Sequence, residues 1–413
     1  MIGTADPLRP AGGGVKARLT DWALGQAPLA FRVLREVWPI PRGRGMALVT
    51  RHDDVRDVFL RDADFGVTYR EKLDVIMGGE PFFLGMPDGE TYRQAVGALR
   101  LAVPHEDIPA RLAPAFERRA EEAVRGAGGR IEVVDALVRR VSFEVLLGYF
   151  GVAAPANGDL RVWATRLFEF QFADPGDDPA LRAEVDDIAP RLRAHIDGLI
   201  RDRREAGQGG SDDVLGRCLA LQAAGKPGFA DAQIRSGLIG LVVGGPPQQP
   251  MIVPQALEQL LRRPDALAGA VAAARAGDDA LVAGHVFEAM RFDPIAPALP
   301  RVAVRDCTIA AGTRRAAPIK AGTAVFVGLA SAMRDGRRVS DPEAFDPRRP
   351  PHEFMHFGHG LHECFAAAIN RTVLPLLLKP LLRRGVRRAD GPEGRLRKRG
   401  PFAERLVVEF DRA

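Results

Sequence analysis

Phe357-Gly358-His359-Gly360-Leu361-His362-Glu363-Cys364-Phe365-Ala366 is the stretch on which the rest of this sequence turns. Gly358 and Gly360 bracket His359, and Cys364 follows. Glycine tolerates positive φ and lets backbone approach a neighbour closely, so the run reads as a tight loop laid against something flat. After Cys364 the chain becomes Phe365-Ala366-Ala367-Ala368-Ile369-Asn370-Arg371, a good helix start. A cysteine at a helix N-terminus meets positive partial charge and free amide donors, which favour the thiolate. Such a thiolate is a metal ligand or a nucleophile. Two plainer readings compete. His352, His356, His359, His362 and Cys364 are zinc-type donors, but no Cys-x-x-Cys pair accompanies them. Cys364 could also be an inert buried thiol.

The run resembles the cysteine loop of the cytochrome P450 family, whose pattern is Phe-Gly-x-Gly-x-His-x-Cys-x-Gly. Phe357, Gly358, Gly360, His362 and Cys364 match, and Ala366 stands where the family has its last glycine. The resemblance implies haem b, with Cys364 as the axial thiolate. It also implies that His362 lies near a haem propionate and that Phe357 packs beside the sulfur. A thiolate in that position pushes electron density to the iron and favours O–O cleavage.

Composition sets the outer bounds. With 413 residues, 46% hydrophobic and 27% charged, the chain has the make-up of a soluble globular protein with a large core. The net charge is +5, a mild excess carried almost wholly by arginine, and no basic run is interleaved with aromatics. That pattern argues against nucleic acid. Cys218, Cys307 and Cys364 cannot build a disulfide framework and suit a reducing cytosol. Met1-Ile2-Gly3-Thr4-Ala5-Asp6 has no signal-peptide character, and the longest apolar stretch, Gly237 to Gly245, is too short to span a bilayer. A cytoplasmic, monomeric protein without a membrane anchor is expected.

Along the chain, a helix is expected near Leu24 to Val37. A strand at Met46 to Thr50 and a helix at Asp53 to Leu60, capped by Asp53 or Asp54, follow. In the family this region belongs to the β-rich part. The family also places a propionate-binding His and Arg at the start of the helix that follows Phe82 to Glu90, where this sequence has Tyr92-Arg93-Gln94. Here the His is missing, and Arg93 or Arg100 is the candidate replacement. Ile108 to Phe150 and Leu160 to Gln222 read as helical, with Val134, Leu137, Val141, Val145 and Leu146 as a core stripe. Gly207 to Ser211 reads as a turn, with Ser211 or Asp212 capping the next helix. Phe168, Phe170 and Phe172 read as core, with a pocket mouth as the alternative.

Ala230 to Arg263 would be one long helix in the family, with an Asp/Glu-Thr pair at its centre delivering protons to dioxygen. This sequence has Gly244-Gly245-Pro246-Pro247-Gln248-Gln249-Pro250 there. Proline within a helix deletes a hydrogen bond and clashes one turn back, at ~3 kcal/mol or more, so Pro246, Pro247, Pro250 and Pro254 predict a broken helix. No carboxylate or hydroxyl remains. Gln248 or Gln249 can orient an oxygen ligand but cannot act as an acid, because an amide does not titrate. The alternative is that the glutamines satisfy backbone groups freed by the prolines. Gly245 fits the family pattern.

Glu288-Ala289-Met290-Arg291 matches the family's Glu-x-x-Arg, and spacing of three puts both side chains on one helix face. Arg349, in Asp346-Pro347-Arg348-Arg349, would complete that ion network as a structural element. Arg301 is the best propionate-binding candidate. The basic tail from Arg383 to Arg399 reads as a solvated face, or as a surface for an acidic electron partner.

The expectation is therefore a single domain over 1–413. It is mainly α with small β-sheets, β-rich at about 40–75 and 300–330, with haem between the broken helix and the cysteine-loop helix. The implied activity is oxidation of a small or medium apolar molecule, with ferredoxin and ferredoxin reductase as partners. The absent acid–alcohol pair keeps open a peroxide-driven peroxygenase or a hydroperoxide isomerase or dehydratase that needs no redox partner. A non-catalytic haem protein that binds a ligand is a further alternative.

Overall fold

The computed structural model describes residues 27–207 and 211–412. Helices dominate, and short strands gather in small sheets. Contacts group the described chain into two compact units that interleave along the sequence. One takes Tyr69–Ala123 and Asp135–Pro250; the other takes residues 27–68, Val124–Val134 and residues 251–412.

The second unit holds every strand found among the described residues. Its five-stranded sheet runs in the order Arg42–Gly43, Met46–Val49, Ala324–Val327, Leu299–Ala303, Phe65–Val67, and only the Met46–Val49/Ala324–Val327 pairing is parallel. Alternation explains the strand that opens it: Ala47 and Val49 are buried while Met46 is exposed. Val55, Val58, Phe59, Phe65, Val325 and Val327 pack into one apolar cluster that the long-range pairing closes. The helix His52–Leu60 begins one residue earlier than expected. Arg51 is its N-cap and offers no side-chain bond. Asp53 and Asp54 instead ride in the first turn, where they favour the helix dipole and pair with Arg338 and Arg315. The helix expected from Leu24 is Ala27–Val37, and residues 24–26 lie outside the described residues.

The first unit is helical. The region read as Ile108 to Phe150 is divided into Ala113–Gly126 and Arg140–Phe150. Between them lie the strand Arg130–Glu132, which belongs to the other unit, and a wide turn at Val133–Arg139. Periodicity missed the strand because its pairing partner, Val407–Glu409, is remote in sequence. The helix Val214–Ala223 is capped by Asp213, which accepts the Gly216 N–H at 2.8 Å, rather than by Ser211 or Asp212. Of the three alternating aromatics, Phe168 and Phe170 are buried and Phe172 is exposed, edge-on to Tyr69.

The central helix is broken. Asp231–Gly244 ends at Gly245, residues 245–248 form a turn, and Gln249–Leu261 resumes. Pro250 sits in the first turn of the second piece, where its missing N–H costs nothing, and Pro254 is carried inside that helix. The break therefore belongs to Pro246 and Pro247.

Candidate functional site

The cysteine loop is built by its glycines. Gly358 and Gly360 have φ of +76° and +75°. A Cβ on Gly360 would lie 2.5 Å from the carbonyl oxygen of Phe59, at the end of the helix His52–Leu60, so close approach and left-handed backbone both demand glycine there. The Cys364 N–H donates to the Phe357 carbonyl at 2.8 Å, and the Cys364 carbonyl accepts from Ala367, where the helix Ala367–Arg383 begins. The Ala366 N–H donates towards the sulfur. Ala366 occupies the N-cap position, so the residue that replaces the family's glycine contributes through its backbone.

Burial pushes the Cys364 thiol up, against the pull of that Ala366 N–H. This corrects the expectation that the helix N-terminus alone would favour a thiolate. The helix starts three positions later, Glu363 adds a negative charge next door, and desolvation wins. A bound metal reverses this balance, because a coordinating thiol is deprotonated outright.

Arg301 and His362 meet on the same unit. Arg301 is buried in the strand Leu299–Ala303, its guanidinium lies 5.0 Å from the centre of the Phe59 ring, and it donates to the Pro300 carbonyl. His362 is pushed down to about 4, first by burial and then by the nearby Arg301 charge. A guanidinium near an imidazole that burial and that charge keep neutral offers N–H donors and one positive charge to carboxylates. A soft sulfur ligand plus a buried guanidinium and an imidazole donor is the chemistry that an iron ring bearing two acid groups requires, so the residues present fit haem.

Behind the loop stands a buried ion network. Arg291 and Glu288 are fully buried and form a two-fold bond at 2.6 and 2.8 Å. Arg349, also buried, reaches Glu288 at 3.1 Å and Glu353 at 2.6 Å. The remaining Arg291 donors go to the carbonyls of Met333, Pro342 and Ala344. Among the described residues no three His, Cys, Asp or Glu side chains converge as a metal site. His356 is stacked on Phe354 and Phe287 and bonds the Phe287 carbonyl, while His359 contacts Arg56.

Arg93, the other propionate-binding candidate, belongs to the first unit. It is exposed and pairs with Asp88 at 2.8 Å, while Arg100 reaches His105. The Gln248 amide donates to the Gly244 carbonyl, whose own position opens the break. Gly245 is needed there because a Cβ would lie 2.7 Å from the Leu241 carbonyl. Gln249 is buried beside it.

A family model described as cytochrome P450 matches residues 281–384, which hold Glu288, Arg291, Arg301, Arg349 and Cys364. The chain belongs to the cytochrome P450 family. It is 26% identical over 389 residues to the erythromycin C-12 hydroxylase of Saccharopolyspora erythraea, covering 92% of this chain and 90% of that protein. It is 36% identical over 121 residues to a bifunctional dioxygenase–epoxy alcohol synthase of Pyricularia oryzae, covering 29% of this chain and 10% of that much longer protein. The ligand-free structure of the cytochrome P450 TbtJ1 superposes with a TM-score of 0.76 at 25% identity, over 94% of this chain and 98% of that one. P450 enzymes carry haem on a cysteine thiolate, and the chain is a haem-thiolate enzyme of that family. No helix among the described residues is long and apolar enough to cross a membrane.

Sequence reasoning missed Glu363 and Arg371 as neighbours of the thiol. Arg371 stands over the Phe357 ring at 5.1 Å and pairs with Glu363 at 3.3 Å. The helix start after Cys364 was the available signal, since it brings a residue of the second turn back towards the loop.

Proposed function

We propose that Cys364 is the axial ligand of haem b and that the chain oxidises a small or medium apolar organic molecule. The observation that carries the reading is the Cys364 loop, with its backbone donor to sulfur and the Arg301–His362 pair on the same unit. Haem, when bound, supplies the oxidising chemistry. Arg301 and His362 hold its carboxylates, and Phe357, Gly358 and Gly360 shape the loop that presents the sulfur. Gln248 keeps one amide N–H on Gly244, which leaves its second N–H and its carbonyl oxygen to orient a ligand. Reduction by ferredoxin and ferredoxin reductase is the partner arrangement that the family supports.

The same segment favours a second reading. From Gly244 to Pro250 no side chain can donate a titrating proton, and the prolines exclude a regular helix. A substrate that brings its own O–O bond needs no such relay. A hydroperoxide rearranged to an isomeric product, or a peroxide used as oxidant, is chemistry this segment allows without an electron partner. One relative is named for epoxy alcohol synthesis.

Purified haem-loaded protein decides between them with apolar substrates and lipid hydroperoxides in two arms. One arm supplies reduced ferredoxin and dioxygen, the other peroxide or hydroperoxide without electrons. Turnover only with electrons supports the monooxygenase reading, and turnover only with peroxides replaces it. Loss of the thiolate-type carbonyl spectrum in Cys364→Ser is expected, and its retention would overturn the ligand assignment.

A further inference from the structure

We propose that Glu363 and Arg371 form a charge pair that tunes the electron density on the Cys364 sulfur, and through it the potential of the haem. Glu363 is the residue directly before Cys364. Arg371, in the second turn of the helix Ala367–Arg383, turns back so that its guanidinium lies over the face of Phe357, the residue whose carbonyl holds the Cys364 N–H. The two side chains meet at 3.3 Å. Their charges are of opposite sign, so from these positions the carboxylate disfavours negative charge on sulfur and the guanidinium favours it.

Stability does not account for the pair. Glu363 is 42% exposed and Arg371 55%, and an ion pair that open contributes about 0–1 kcal/mol. Its electrostatic reach into the shielded sulfur is larger, because the loop between them is low in dielectric and the Phe357 ring supports the cation. Exposure also makes the balance adjustable. An acidic partner that takes Arg371 leaves Glu363 unneutralised beside the ligand, whereas salt screens both charges.

This rests on the reading that Cys364 ligates the iron, and the test separates the two. One electron, supplied by an electrode through a mediator, reduces the ferric haem, and the midpoint is read spectroscopically. Glu363→Gln removes a negative charge and is expected to raise the midpoint. Arg371→Gln is expected to lower it, the double variant to return near the parent, and Arg371→Lys to restore most of the shift. The thiolate-type carbonyl spectrum should persist in each. A parent protein without that spectrum overturns the ligand assignment. Variants that keep it with unmoved midpoints overturn the tuning proposal alone. So does an Arg371→Lys midpoint displaced as far as that of Arg371→Gln, because a packing role alone would then explain it.

Discussion

The cysteine loop and the break in the central helix are both glycine-led departures from regular structure, yet they depart for opposite reasons. In the loop, Gly358 and Gly360 hold left-handed backbone, Gly360 is pressed onto the Phe59 carbonyl, and every motif residue but Ala366 keeps the family's type. In the break, Pro246 and Pro247 delete two helix donors, and the side chain at the family's alcohol position turns to the backbone: Gln248 binds the Gly244 carbonyl. One region is held to its pattern by geometry. The other has lost the proton-bearing pair and rebuilt its hydrogen bonding. The cysteine loop thus keeps the family's residue types where the break in the central helix departs from them.

The largest test concerns what lies behind the loop. Arg291→Ala should strip the fully buried Glu288 of its two-fold partner and lower stability by about 3–5 kcal/mol in urea unfolding. A loss below ~1 kcal/mol would show that the network does not brace the unit. Gly360→Ala should cost about 2 kcal/mol or more, through left-handed strain and the 2.5 Å approach to Phe59, and should weaken haem retention. Unchanged stability would make the loop as permissive as the break.

On the other side of the comparison, Gln248→Ala frees the Gly244 carbonyl and should cost about 1 kcal/mol. If it changes neither ligand binding nor products, the amide is only a backbone partner. Pro247→Asp with Gln248→Thr restores the family's residue types there. It should raise electron-driven turnover relative to peroxide-driven turnover if the missing relay limits the parent enzyme.

The last test concerns pH dependence, and near neutral pH its effect vanishes. Burial pushes His356 down to about 3 from its ordinary 6.5, so the folded state keeps it neutral while the unfolded chain protonates it. Its contribution is complete above about pH 6.5 and is lost as pH falls towards about 3. His356→Phe should flatten the acid limb of the stability profile, and an unaltered limb would assign it to carboxylates.

Much of this was legible before any coordinates. The Cys364 run, Glu288-x-x-Arg291 and the proline pair are local signals: glycine and proline restrict φ chemically, and three-residue spacing places two side chains on one helix face wherever the helix lies. The strand Arg130–Glu132 was misread because its pairing with Val407–Glu409 depends on what folding brings alongside. The cap at Asp213, by contrast, was missed locally, by one residue among adjacent Ser211, Asp212 and Asp213 that can all cap. In sequence Arg301 was the best propionate-binding candidate and Arg93 a second one, since an arginine carries the same charge in either setting. Only packing sent one to an exposed Asp88 and buried the other beside His362. By itself the sequence determined the family, the loop and the place of the helix break, because these follow from covalent restrictions on single residues. Tertiary structure alone decided the state of the thiol, the partner of Gln248 and the Glu363–Arg371 pair, because desolvation and charge act across space and not along the chain.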